Sequence, residues 1–447
     1  MPEKALKPKP ETAATPPDAR RQALEVLLAI LVKRQPLDEA WAAQQQGIDR
    51  MERRDQSFCR LLVLTTLRNK GFIDKTLDGY LPERTKLPER VQMSLRLGFT
   101  QLCFLQTPAH AAISTCLDLL EKEKKHIRGV VNAVLRRISI EVKDVGRAED
   151  HWQENIPGWL QDSWEAAYGM EAMQAIAAAS LKEPRMDITV ADNSNKWVTA
   201  LAAAPLPNGS LRLAYGADIT QLEGYKEGRW WVQDAAAALP VRLAGDVKGK
   251  TVYDLCAAPG GKTAQFAFSG ATVIAIDRSK ARLMRFKENM LRLGLDINVI
   301  QSDAAAFLPE QKADIVLLDA PCSATGTLRR HPDLMHVKAQ EDVSRLAAVQ
   351  LQLLRHAARL VKDNGLLIYA TCSLQAEEGP EVIKAFLDEN GKDWQRQPVQ
   401  PSELGENPAD FTPLISAEGD LRTWPCHWGA VGGMDGFYAA RLKRIGS

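Results

Sequence analysis

Asp254-Leu255-Cys256-Ala257-Ala258-Pro259-Gly260-Gly261-Lys262-Thr263 decides how the second half of this chain is read. It follows the apolar run 251–255, which reads as a buried strand, and it opens a helical stretch over 261–268. Glycine lets a backbone approach a ligand closely, and a helix N-terminus offers free N–H groups. The segment is neither a P-loop nor a G-x-G-x-x-G dinucleotide fingerprint. Its position is the informative part: past the carboxyl end of a first strand is where an open α/β sheet receives its ligand.

Reading outward, further apolar runs at 272–276, 297–301, 313–318 and 366–371 alternate with helical stretches at 280–293, 340–361 and 377–389. That alternation predicts a Rossmann-like, doubly wound parallel sheet over 246–447, with a last strand at 437–442 closing its edge. Upstream, Met186 to Val190 alternates like a strand, and 146–245 reads as a small α+β connector. Residues 18–145 read as all helix. Ala23, Leu24, Leu27, Leu28 and Leu31 recur at helical spacing, as do Phe58, Leu61, Leu62, Thr65 and Leu67. Helices are also expected at 89–105, 109–124 and 128–138, with Pro82, Pro88 and Pro108 between them. Residues 1–17, rich in Pro, Lys and Ala, read as a disordered tail, and Asp18 as the first N-cap.

Composition narrows the class. With 45% apolar and 25% charged residues, the chain reads as an ordinary globular protein of several domains. No apolar run approaches the roughly 20 residues of a membrane helix, and Lys4, Lys7 and Lys9 precede no apolar core of a secretory signal. Seven cysteines without scaffold-like spacing suit reduced thiols in the cytoplasm, and none pairs into a metal-binding pattern. The net charge of +1 conceals an asymmetry: residues 1–145 hold 25 Lys/Arg against 18 Asp/Glu, a net +7, leaving −6 for the rest. A basic front module suggests a polyanionic partner.

The second strand ends in Asp277, about 20 residues past the loop, where a carboxylate typically receives ribose hydroxyls. The third ends at Asp303, ahead of Ala304, Ala305 and Ala306, so an adenine amino group could be met with room for the ring. The alternative for both is capping of the following turn. With no phosphate-gripping Lys-Ser pair, the ligand expected is adenosine-bearing but not ATP, and S-adenosylmethionine fits.

Two further strand ends carry thiols: Asp319-Ala320-Pro321-Cys322-Ser323 and Thr371-Cys372-Ser373. Free cysteine is commonly a small buried hydrophobe; Cys59, Cys103 and Cys116, within helical apolar stretches, fit that, as does Cys256. Cys322 and Cys372 do not, being flanked by polar residues. Beside a sulfonium methyl donor, a thiolate can add to C6 of cytosine and make C5 nucleophilic, splitting one hard step into easier ones. The residues alone leave open which cysteine attacks.

Asp254–Thr263, Asp319–Gly326 and Ala370–Ser373 together resemble three motifs of the RNA 5-methylcytosine methyltransferases. Arg21, Asp55, Arg68, Leu95–Gly98, Pro108–Ala111 and Val131–Arg136 are similar to the NusB-like RNA-binding domain. Trp230–Asp234 resembles the family's lead-in to the catalytic domain, and Gly436-Phe437-Tyr438 its terminal strand. The combination resembles the bacterial RsmB (Sun or Fmu) type, over 18–442. The resemblance implies methylation of a cytosine in small-subunit ribosomal RNA by a NusB-like domain (18–145) joined through the connector to a catalytic domain (246–447). It implies Cys372 as nucleophile, Cys322 as the thiol assisting release, and Asp319 as the carboxylate contacting the base. It carries cofactor contacts onto Cys256, Ala257, Ala258, Pro259, Gly260, Gly261, Lys262, Asp277, Asp303 and Asp319. RNA contacts are expected at Lys262, Arg329, Arg330 and His331, and on the front domain around Arg53, Arg54, Arg128, Arg136 and Arg137. A monomer is expected, without metal or membrane. Met335-His336 stand where relatives often carry Lys-Trp, and 113–124 and 185–193 also diverge. The rival readings are the same reaction on tRNA, and a non-catalytic RNA-binding or assembly factor.

Overall fold

The computed structural model describes residues 18–192, 195–216 and 218–445. The tail expected at 1–17 and Asn193 of the divergent 185–193 stretch lie outside the described residues. The chain divides after Gly146 into two compact units.

The first unit is helical. Asp18 caps its first helix, Ala19–Leu31, accepting from Arg20 N–H at 3.1 Å. Helices Arg53–Arg68, Lys70–Tyr80, Glu89–Phe99, Ala109–Asp118 and Lys125–Glu141 follow, two of them entered through Pro88 and Pro108. The expected helix 89–105 is α-helical only to Phe99 and widens into a π-turn over Thr100–Phe104. The stretch 109–124 ends early, at Asp118, ahead of the charged run 121–125, and the next helix starts at Lys125 rather than 128. The buried face of Arg53–Arg68 is Cys59, Leu62, Val63, Thr66 and Leu67, leaving Leu61 exposed. Of the expected stripe Leu62 and Leu67 are fully buried, Phe58 and Thr65 half-buried and Leu61 exposed, and Thr66 joins the core in its place: its hydroxyl lies 2.9 Å from that of Thr100 and donates to Leu62 C=O, so it enters the core satisfied. Arg96 is buried for a similar reason, gripping Asp74 through two bonds of 2.7 and 2.9 Å.

The second unit opens with the short turns Ala148–His151 and Trp152–Asn155, then helices Gly158–Tyr168 and Met170–Ser180, packed around the buried Trp164. Strands β1 (Asp187–Val190), β2 (Ala204–Pro205), β3 (Leu211–Arg212) and β4 (Trp230–Val232) form an antiparallel sheet ordered β2-β3-β1-β4. Arg212 and Asp187 pair across it through two buried bonds of 2.6 and 2.7 Å.

The larger sheet contains β5 (Thr251–Leu255), β6 (Thr272–Asp277), β7 (Asn298–Gln301), β8 (Ala313–Asp319), β9 (Val361–Thr371), β10 (Trp394–Arg396), β11 (Leu421–Thr423) and β12 (Phe437–Arg444). Its order is β10-β12-β9-β8-β5-β6-β7, with β11 also paired to β12. The five strands β9-β8-β5-β6-β7 are parallel, as the alternating pattern predicts. β12 runs antiparallel to β9 but is not the edge; the short β10 covers it. Two apolar layers, one against each face, bury strands such as Ile315–Leu318 on both sides, which is why that strand reads as an unbroken apolar run; β5 is buried in the same way, its Asp254 the polar exception.

Candidate active site

The carboxyl ends of β5, β8 and β9 open onto one cavity of about 450 Å³. Asp254, Ala257–Lys262, Asp319, Arg330, Cys372 and Phe437 all line it. At β5, Cys256 adopts a left-handed backbone (φ 63°) and Gly260 another (φ 103°), so the chain turns sharply before the helix Gly261–Phe268. A Cβ on Gly260 would stand 2.8 Å from Met290 Cε and Phe286 Cδ2. Cys256 itself packs against the core, and burial pushes its thiol up to about 12, the expected inert role. Burial likewise raises the Cys59, Cys103 and Cys116 thiols to about 12.

Asp254 receives the Thr263 hydroxyl at 2.5 Å, yet its other oxygen is buried without a partner. Burial pushes this carboxyl up to about 7. Asp277 accepts from Ala258 N–H at 3.2 Å and Ser279 N–H at 2.9 Å, with Arg282 3.5 Å away. Asp303 accepts from Ala305 N–H at 2.9 Å. Asp303 thus caps its own turn, whereas Asp277 caps the turn at Ser279 and also ties the end of β6 to the cofactor loop at Ala258; the cavity lining includes neither. A nucleoside-bearing ligand fits what is present: the glycine turn, the helix N-terminus, the cavity volume and the unpartnered Asp254 oxygen.

Lys262 reaches across the cavity floor to Asp319, Nζ donating to Oδ2 at 2.8 Å, and its ammonium stands 4.8 Å from the Phe437 ring centre. Cys372 lies on the cavity wall, and Cys322 stands behind it with the sulfurs 3.5 Å apart. Hydrogen bonding to the Cys372 sulfur, and then burial, pushes the Cys322 thiol well up. The structure thus joins two thiols from segments 50 residues apart. Among the described residues, no group of three or more His, Cys, Asp or Glu is placed to hold a metal, and no helix is long and apolar enough to cross a membrane.

The family description 16S rRNA methyltransferase RsmB/F matches residues 243–443, and NusB family matches 17–139. Ribosomal RNA small subunit methyltransferase B of Pseudomonas putida is 34% identical, over 95% of this chain and 98% of that one. The protein of the same name from Thermus thermophilus is 32% identical over 88% and 90%. The chain belongs to the RsmB/F family. As an RsmB/F member it is an S-adenosylmethionine-dependent methyltransferase. Its fold is shared with the crystal structure of PH0851, at a TM-score of 0.74 and 23% identity, covering 97% of this chain and 100% of that one. NSun6 from Pyrococcus horikoshii, solved with SFG, superimposes at a TM-score of 0.56 and 19% identity, over 65% of this chain and 99% of that one.

Within this RsmB/F chain, one expected RNA contact is corrected. Arg329 is 1% exposed and donates to Gly432 C=O at 2.6 Å, so it braces the turn at 432–433 and presents no guanidinium to a phosphate. Arg330 is exposed and lines the cavity, held by the buried Asp435 through a bond of 2.7 Å. His331 is half-buried beside it. Met335, divergent from relatives, is buried in the apolar cluster around Trp164 and Leu374. Sequence reasoning missed Glu378. It falls inside the expected helix 377–389, where an acid reads as a solvated first turn; the helix begins at Pro380, and Glu378 turns inward beneath the cysteines.

Proposed function

We propose that this chain methylates C5 of a cytosine in 16S ribosomal RNA through a transient bond between Cys372 and C6. The observation that carries the reading is the Cys372 sulfur on the cavity wall with a second thiol 3.5 Å behind it. Cys372, as thiolate, adds to C6; the electron pair moved to C5 takes the methyl group. Water takes the C5 proton, the C5–H electron pair restores the C5–C6 double bond, and the C6–S bond breaks to expel Cys372 as thiolate. Cys322, kept protonated by its surroundings, donates to the departing sulfur and so assists release. Lys262 and Asp319, paired beside Cys372, orient the base.

S-adenosylmethionine supplies an electrophilic methyl on its sulfonium. The residues proposed to hold it are Cys256–Lys262, with Asp277, Asp303 and Asp319 taking the ribose, adenine and reacting ends. Arg330, His331 and Lys262 are proposed to meet RNA near the base. The cytosine must be unstacked, since C6 is not attackable within a helix. Matches to rRNA methyltransferases along most of the chain favour this over tRNA.

Bisulfite sequencing of 16S rRNA from a deletion strain tests the substrate: one protected cytosine should become convertible, and return on complementation with wild type but not Cys372→Ser. Unchanged 16S rRNA with a newly convertible tRNA cytosine would move the reading to tRNA. Full turnover by Cys372→Ser would remove the covalent step.

A further inference from the structure

One buried carboxylate lies behind both cysteine segments. Glu378 is 0% exposed. Its Oε1 accepts from Ser323 N–H at 2.8 Å and from the Gln350 amide at 3.0 Å. Its Oε2 accepts from the Ser373 hydroxyl at 2.5 Å and from the Ser323 hydroxyl. Ser323 and Ser373 directly follow Cys322 and Cys372. A single side chain therefore grips the residue after each sulfur.

The two segments do not depend on it equally. Cys372 leaves β9 while its neighbours are still held: Thr371 pairs in register with Tyr438, and Ser373 C=O accepts from Arg422 at 2.7 Å. The Cys322 segment has already left β8 at Asp319. Ala324, two residues beyond the thiol, sits at φ 57°, a conformation a residue with a Cβ seldom adopts unless its surroundings hold it. Glu378 contributes to that hold nearest the thiol, accepting both the backbone N–H and the hydroxyl of Ser323, while Ala320 N–H to Ala370 C=O and Gly326 N–H to Cys372 C=O, each at 2.9 Å, tie the two ends of the segment. Gln350 stiffens the arrangement, donating also to Pro321 C=O at 2.9 Å and receiving Tyr369 OH at 3.0 Å.

We infer that Glu378 is a positioning residue that keeps Cys322 against Cys372, and that it acts on release of the methylated RNA more than on attack. Removing the carboxylate strands the buried Ser323 N–H and leaves the Ser323 hydroxyl only that of Ser373, 3.2 Å away, whereas Ser373 keeps Thr325 and Gln375 as partners; a stranded group shifts until it finds an acceptor. Cys372, pinned by the sheet, stays; Cys322 moves. The inference rests on the covalent reading above.

The test uses the full chain, unmethylated small-subunit rRNA and S-adenosylmethionine. It compares Glu378→Ala, Glu378→Gln and Ser323→Ala with Cys322→Ala and Cys372→Ser. A misplacement of about 1 Å can cost about 10²-fold, so steady-state turnover of Glu378→Ala should fall by about that factor. Single-turnover methyl transfer and kcat/KM for S-adenosylmethionine should hold within about two-fold, since neither contains a step after methyl transfer, and the KM should fall together with kcat. The fraction of protein–RNA adduct surviving a denaturing gel should rise toward that of Cys322→Ala. Glu378→Gln, which keeps one acceptor, should fall between. Ser323→Ala removes one hydroxyl only, should shift the adduct fraction the same way, and decides the matter if Glu378→Ala does not fold. Equal loss of methyl transfer and adduct, or a wild-type adduct fraction, overturns the inference. Turnover by Cys372→Ser overturns the covalent reading instead, a separate outcome.

Discussion

Lys262, on the first turn of the helix after β5, pairs with Asp319 at the end of β8 at 2.8 Å, joining the cofactor loop to the catalytic segment across 57 residues. The lysine side chain is largely buried and the aspartate about a third exposed. The pair puts one positive and one negative charge on the cavity wall without either standing alone.

Lys262→Met keeps the length of the side chain and removes its charge, leaving Asp319 without its cation. Solvent screening limits the stability loss to about 1 kcal/mol. Adding Asp319→Asn should recover most of that loss, while methylation stays abolished in both variants. A double-mutant cycle from urea denaturation measures the coupling; additivity within about 0.3 kcal/mol would show that the pair is not a functional unit.

Gly260→Ala should weaken S-adenosylmethionine binding far more than it weakens the fold. The position needs a left-handed backbone, and an added Cβ meets Phe286 and Met290. To accommodate it the loop must shift where the cofactor is expected. Titration calorimetry should show a loss of about ten-fold or more in affinity, about 1.4 kcal/mol. Wild-type affinity would place the cofactor elsewhere.

Asp254 should give the unliganded protein a pH-dependent stability. Its folded value, about 7, lies above the ordinary 3.8 because of burial. A carboxyl raised in the folded state contributes stability that is complete below about pH 4 and is lost as pH rises through about 7. Relative to Asp254→Asn, the wild type should therefore weaken between those values and run parallel above them. The buried Asp435, raised to about 6, is common to both proteins and cancels in the difference. Urea denaturation across this range measures it; curves parallel throughout would mean that the carboxyl is not raised.

The chain's own residue pattern determined the alternating α/β half, the helical front and the strand ends that carry Cys322, Cys372 and the glycine turn. Those features are local: apolar strands buried on both faces read as unbroken runs, and turns announce themselves through Pro and Gly. What only the tertiary structure decided depends on groups far apart in sequence. Antiparallel β12 lies inside β10 because pairing partners are set by packing, not by chain order. Arg329 is structural and Arg330 faces the cavity, a distinction that two adjacent arginines cannot reveal. Glu378 reads as a solvated helix start, and only the closure of β8 against β9 brings Ser323 and Ser373 to its oxygens. Periodicity records which side of an element is buried; it holds no record of which polar atom meets which across a fold.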